Sequence, residues 1–293
     1  MPIFTGSGVA AAVAFNADGS VNFSAYEKFV NFLIENGTDA IVSCGTTGES
    51  VTLSDKEQFE VVKCAVSASG GRVPVIGGAG SNDTAHAVHL AKQVKAAGAN
   101  GCLAVTPYYN KPTQRGLVKH FAAIAEAAEL PVILYNVPGR TGGNILPATY
   151  AELVKIPNVV GVKEASSNIV QIAEVAEVAG PDFSIWSGND DHIVPVLSLG
   201  GVGVISVMGN IIPRYTHDMV VKFLEGDTKT AAKMQVEVQS LVRALFCETN
   251  PIPVKTALNL MGMNMGGFRL PLCEMGETGL AQLKKELTKF NLI

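Results

Sequence analysis

The sequence predicts an α/β protein, a closed (β/α)8 TIM barrel with a C-terminal helical appendage. Three observations predict it. Eight short runs are apolar on both faces, as parallel strands covered on both sides read. Polar or glycine-bearing loops and segments of helical period separate those runs. The length, 293 residues, suits one such barrel with an addition.

The expected strands are Val9–Phe15, Ala40–Ser43, Val73–Ile76, Gly101–Val105, Val132–Tyr135, Val159–Lys163, Phe183–Trp186 and Val202–Ser206. Between them, Phe23, Tyr26, Val30, Leu33 and Ile34 fall on one helical face, as do Leu117, Phe121, Ile124 and Ala128. Ser54 and Glu57 have the form of a capping box. Gly98 and Gly180 stand where helices end, and Pro181 follows the second. After about residue 213 the strand signal stops. Ala231–Leu245, Val254–Met261 and Thr278–Lys289 read as helices. The chain therefore divides into a barrel over residues 1–225 and a helical region over 226–293. An open doubly wound sheet is the competing architecture. It lacks the expected G-x-G-x-x-G turn after the first strand, and Gly77-Gly78-Ala79-Gly80 has the wrong spacing and follows the third strand.

Composition narrows the function. Apolar residues make up 47% and charged residues 16%, which supplies a large core and argues against disorder. A net charge of −4 disfavours a nucleic-acid partner. No apolar stretch is long enough to span a bilayer, so no membrane partner is expected. Met1-Pro2-Ile3-Phe4-Thr5-Gly6 has no basic start before an apolar run, so no signal peptide is expected. Five cysteines, with no C-x-x-C pair, fit reduced thiols in a cytoplasmic protein.

In a barrel of this kind the active site lies in the loops after the strands. Lys163 closes Val159-Val160-Gly161-Val162-Lys163, so its ammonium can be desolvated at the mouth, which lowers the pKa towards a nucleophilic neutral amine. A solvated lysine capping the strand accounts for its position equally well. Arg140, between glycines in Gly139-Arg140-Thr141-Gly142, suits a carboxylate clamp or a plain surface position. Thr46 and Thr47 lie between Gly45 and Gly48, where backbone N–H groups can approach a ligand or simply form a turn. Tyr135 and Tyr109 are possible proton relays or packing residues. Gly188 and Gly209 follow strands seven and eight, but neither loop is rich enough in glycine to favour a phosphate site. His86 and His89 are three apart on a helix with no third ligand evident, so no metal is expected.

Several of these segments together resemble the dihydrodipicolinate synthases (4-hydroxy-tetrahydrodipicolinate synthases). They are Gly45-Thr46-Thr47-Gly48-Glu49, Tyr108-Tyr109-Asn110-Lys111-Pro112, Tyr135-Asn136-Val137-Pro138-Gly139-Arg140-Thr141-Gly142 and Gly161-Val162-Lys163-Glu164-Ala165. Asn250-Pro251-Ile252-Pro253-Val254-Lys255 and Arg269-Leu270-Pro271-Leu272 extend the similarity through the C-terminal region. The resemblance implies condensation of pyruvate with L-aspartate 4-semialdehyde, the first committed step towards diaminopimelate and lysine, with no metal or organic cofactor. It implies that Lys163 forms an imine with pyruvate. Tyr135, Thr46 and Tyr109 would relay protons, the last from a neighbouring subunit, which implies at least a dimer and usually a homotetramer. Thr47 would bind the pyruvate carboxylate through its backbone N–H and hydroxyl. Arg140 would hold the semialdehyde carboxylate, and Gly188 and Ile205 would line the pocket. N-acetylneuraminate lyases and 2-keto-3-deoxygluconate aldolases share the lysine and the pyruvate half, and a non-catalytic barrel scaffold is a reading of another class.

The resemblance also implies a regulatory lysine site, which this sequence departs from. Ser50, Asn82 and Tyr108 keep the family pattern. Asp55, Gln58 and His86 stand where inhibitable bacterial enzymes carry two histidines and a glutamate, so the acid that would meet the lysine ammonium is absent at position 86. Asp55 is the nearby acid that can compensate. We expect weak or absent feedback by lysine; half-inhibition at sub-millimolar lysine in a coupled assay would contradict this.

Overall fold

The computed structural model describes residues 2–293. Eight parallel strands close into a barrel in chain order. They are β1 Gly6–Ala10, β2 Ala40–Ser43, β3 Val75–Gly78, β4 Gly101–Val105, β5 Val132–Asn136, β6 Val159–Glu164, β7 Ser184–Ser187 and β8 Gly203–Ser206. Pairing of Gly6 with Gly203 and Val9 with Ser206 shuts the ring, which excludes the open sheet.

The expected strands are all present, with shifted ends. The largest shift is in β1, which occupies Gly6–Ala10 rather than Val9–Phe15. Ala11 to Phe15 are buried without being strand. Hydrophobicity reports burial, not ladder pairing, so the apolar run overshoots the strand. The true start, Gly6-Ser7-Gly8, carries no apolar signal because it needs small residues. A Cβ on Gly8 would lie 2.7 Å from the Phe4 ring. β3 begins two residues later than expected, and β7 and β8 begin one later.

Two apolar layers surround the sheet. Inside the barrel, Phe4, Val42, Ile76, Leu103, Ile133 and Trp186 fill the space. Phe4 stacks on Trp186 with ring centroids 5.1 Å apart. A second, larger cluster lies between the strands and the helices. The helix Phe23–Glu35 buries Tyr26, Phe29, Val30 and Leu33, while Phe23 at its start stays exposed. The helix Gln114–Ala128 buries all four expected residues. The Ser54–Glu57 capping box forms as predicted. Gly98 and Gly180 both take positive φ at helix ends. Among the described residues, no helix is long and apolar enough to cross a membrane.

Beyond the barrel, the segment read as one helix is two, Thr228–Glu237 and Gln239–Leu245. Ile252–Leu260 and Glu277–Lys289 follow. Asn250, Lys255 and Arg269 of this region reach the loop after β2 at the barrel mouth. Lys255 is fully buried and donates to Glu49 Oε1 at 2.9 Å. Its ammonium also lies 3.9 Å from the centroid of the Phe15 ring. Burial pushes the Lys255 pKa down, and Glu49 pulls it back up. Glu49 follows Gly48 in the loop after β2 and adopts a left-handed conformation. The pair thus ties that loop to the C-terminal region.

Removing one partner leaves a buried charge unpaired, whereas removing both does not. Lys255→Ala is expected to cost about 3–5 kcal/mol of stability. The double variant Lys255→Met/Glu49→Gln should recover most of it. Denaturation of the three proteins measures the difference, and equal stabilities would contradict a paired charge.

Candidate active site

The strand ends bring together most of the residues singled out in the sequence. Register places Tyr135 on β5 opposite Lys163 on β6, and Lys163 opposite Trp186 on β7. Alternation along β6 turns Lys163 inward and the adjacent Glu164 outward. Glu164 is held there by Asn136, Tyr150 and the Ser166 N–H. Lys163 is 5% exposed, so it is not a solvated strand cap. Its Nζ lies 4.4 Å from the Tyr135 ring centroid. Burial brings the Lys163 pKa down from 10.5 to about 8. Asp190 opposes the fall, and the nearby Arg140 charge adds to it.

Asp190 is a functional candidate that the sequence analysis did not single out. It is 2% exposed and accepts hydrogen bonds from Ser206 Oγ and the N–H groups of Val207 and Met208. Burial raises its pKa, while these donors and Lys163 lower it. An acid two residues past Gly188, in a loop at the barrel mouth, was the available signal.

Tyr135 is buried, which raises its phenol pKa; the Arg140 charge and the Thr46 side chain pull it back down. Thr47 is 2% exposed, and its Oγ1 accepts from Asn250 Nδ2 at 3.0 Å. Cys44 and Glu49, both at positive φ, bend the loop that carries the two threonines. Arg140 sits in the short helix Pro138–Thr141, exposed but with Nη2 donating to the Asn250 carbonyl at 3.3 Å. Ile205 is fully buried in the barrel interior. Gly188 N–H donates to the Glu164 carbonyl at 2.7 Å, and a Cβ there would lie 2.7 Å from that of Ala165. Tyr109 does not join the group within this chain. Its side chain is 88% exposed and its φ is +73°.

A cleft of about 330 Å³ runs from Thr46, Tyr135 and Arg140 towards Ser50, Asp55 and His86. Tyr108 and Gln58 also line it. Asn82 contributes a backbone carbonyl to Asn110 Nδ2 at 2.8 Å and does not line the cleft. Asp55 answers both histidines of the 86/89 pair. Its carboxylate lies 2.9 Å from His86 Nε2 and 3.4 Å from His89 Nε2. The sequence showed no such third group, because Asp55 is 31 residues from His86. Among the described residues, no group of three or more His, Cys, Asp or Glu is arranged to hold a metal ion.

Comparison with known proteins gives a consistent result. The model of the Dihydrodipicolinate synthetase family matches residues 3–290. The 4-hydroxy-tetrahydrodipicolinate synthase of Thermoanaerobacter sp. (strain X514) is 54% identical over 294 residues, covering 100% of this chain and 99% of that protein. The dihydrodipicolinate synthase of Aquifex aeolicus has a crystal structure that superposes with a TM-score of 0.96 at 44% identity, with 99% of each chain covered. The enzyme of Cyanidioschyzon merolae, crystallised with lysine bound, superposes at 0.97 with 40% identity and 100% of each chain covered. The fold, the site and these similarities agree: the chain belongs to the dihydrodipicolinate synthetase family.

Proposed function

We propose that this chain is a 4-hydroxy-tetrahydrodipicolinate synthase that condenses pyruvate with L-aspartate 4-semialdehyde through Lys163. The observation that carries this is a buried lysine beside a buried tyrosine, with its pKa near 8. A fall from 10.5 to about 8 raises the neutral fraction of the amine at pH 7 about 300-fold. The neutral amine attacks C2 of pyruvate and water leaves, giving an imine on Nζ. Loss of a methyl proton gives the enamine, whose carbon bonds to the aldehyde carbon. The amino group from the second substrate then attacks C2 and displaces Lys163. The protonated imine draws the electrons itself, so the reaction calls for no metal or organic cofactor.

Tyr135 and Thr46 are the groups placed to pass protons between the lysine and the cleft, with Tyr109 as the outer member. The exposure of Tyr109 fits a side chain that completes a neighbouring subunit's site, which is the basis for proposing at least a dimer and a homotetramer as the working assembly. Thr47 offers an N–H and a hydroxyl to the pyruvate carboxylate. Arg140 holds that of the semialdehyde, and Gly188 and Ile205 shape the pocket. In this reading residues 1–225 carry the chemistry and residues 226–293 brace the mouth. The unpaired cysteines are compatible with a reducing cytoplasm.

The lysine site is proposed to be weak. Asp55, the acid that could meet an incoming ammonium, is already engaged by His86 and His89. Ser50, Gln58 and Tyr108 remain along the cleft, and Asn82 borders Asn110 beside it.

Borohydride added with pyruvate should fix a mass on Lys163, and its yield should rise with pH through about 8, as the amine loses its proton. No adduct, or a yield that falls across that range, would overturn the assignment. Turnover with a sugar aldehyde but not with the semialdehyde would instead favour a sugar-acid lyase. Arg140→Ala should raise KM for the semialdehyde about 10- to 100-fold while changing that for pyruvate little, consistent with loss of a charge-assisted hydrogen bond. It should also move the pH inflection upward, because the Arg140 charge helps to hold the lysine pKa down. An unchanged semialdehyde KM would remove Arg140 from the clamp.

A further inference from the structure

Thr47 and Arg140, which reach the mouth from different loops, both bind one residue of the C-terminal region. Asn250 is 4% exposed. Its Nδ2 donates to Thr47 Oγ1 at 3.0 Å, and its backbone carbonyl accepts from Arg140 Nη2 at 3.3 Å. The direction of the first bond matters. A hydroxyl has one proton to give and two lone pairs to offer. Having accepted from an amide, the Thr47 hydroxyl keeps its proton free for an anion. If the amide were turned, Oδ1 would take that proton instead. In the observed orientation the unpartnered atom is Oδ1.

We infer that Asn250 is a positioning residue that sets the polarity of the carboxylate pocket, holding the Thr47 hydroxyl as a donor towards pyruvate. It touches no reacting atom. The inference rests on the reading of the site as a pyruvate-binding synthase. It places a determinant of substrate binding 203 residues from the loop it controls, in the region outside the barrel.

The test reverses the polarity while keeping the size. In Asn250→Asp the carboxylate accepts the Thr47 proton, so KM for pyruvate, read from turnover and from concentration-dependent borohydride trapping, should rise about tenfold or more. In Asn250→Ala the hydroxyl stays free, and the rise should be under about threefold. KM for the semialdehyde should change little in both, because the backbone carbonyl that binds Arg140 remains. In a Thr47→Val background, Asn250→Asp should add less than about threefold, since the hydroxyl it acts through is gone. Equal effects of Asp and Ala, or a full Asp effect in the Thr47→Val background, would overturn the inference; the latter would point to simple charge repulsion. If the Asp variant does not fold, Asn250→Gln and Asn250→Glu, equal in length and opposite in polarity, make the same comparison, with the higher pyruvate KM expected for Glu and equal values overturning the inference. Failure of the wild-type protein to trap pyruvate would instead overturn the reading of the site itself.

Discussion

Burial of the Lys163 side chain inside a closed parallel barrel deprives its ammonium of solvation, and the arrangement of the mouth answers that constraint. An isolated lysine in such a place would lose its proton entirely or destabilise the fold. Asp190, held by Ser206 and two backbone N–H groups after β8, opposes the loss. Arg140 works in the other direction. The balance leaves an amine with a pKa near 8, which is what the proposed imine chemistry calls for. Strand alternation makes this possible, since the same strand that turns Lys163 inward fastens Glu164 outward to Asn136 and Tyr150.

The C-terminal region is part of the site rather than an accessory to it. The Lys255–Glu49 pair anchors the end of the β2 loop, Asn250 reaches both Thr47 and Arg140, and Gln235 donates to the Asp190 backbone carbonyl. Arg269 adds a contact to Glu57 at the start of the following helix. Loops at a barrel mouth are otherwise held only at their two ends. Bracing from a separate segment gives the fixed geometry that orienting two carboxylate substrates demands.

Much of this was legible in the chain before folding. Lys163, Arg140, Thr46, Thr47 and Tyr135 stand at or just beyond apolar runs, and a barrel puts such positions at its mouth. Asp190 was legible only as an acid in a mouth loop, and Asn250 not as a positioning residue, because what each meets lies distant in sequence. Asp190 acts electrostatically on Lys163 of β6. Asn250 meets a threonine near the opposite end of the chain. Asp55 is the same case on a shorter span, since periodicity showed the His86/His89 pair but not the acid that lies between them in space. Strand ends shifted for a related reason. Ala11 to Phe15 are as apolar as strand and as buried, yet they lie beyond β1, and Phe15 N–H donates to the Met265 carbonyl of the C-terminal region.

What the sequence determined by itself was the set of elements and their order. Those depend on contacts a few residues apart: alternation and continuous apolar runs for strands, a 3.6-residue period and local caps for helices. With eight such units, the class of fold followed, and with it the barrel mouth as the candidate site. Only the tertiary structure decided which groups share a buried volume. Desolvation and electrostatic pairing act through space without regard to chain separation. The pKa of Lys163, the contact of Asn250 with Thr47 and the engagement of Asp55 could therefore emerge only once the barrel had closed and the C-terminal region had reached the β2 loop.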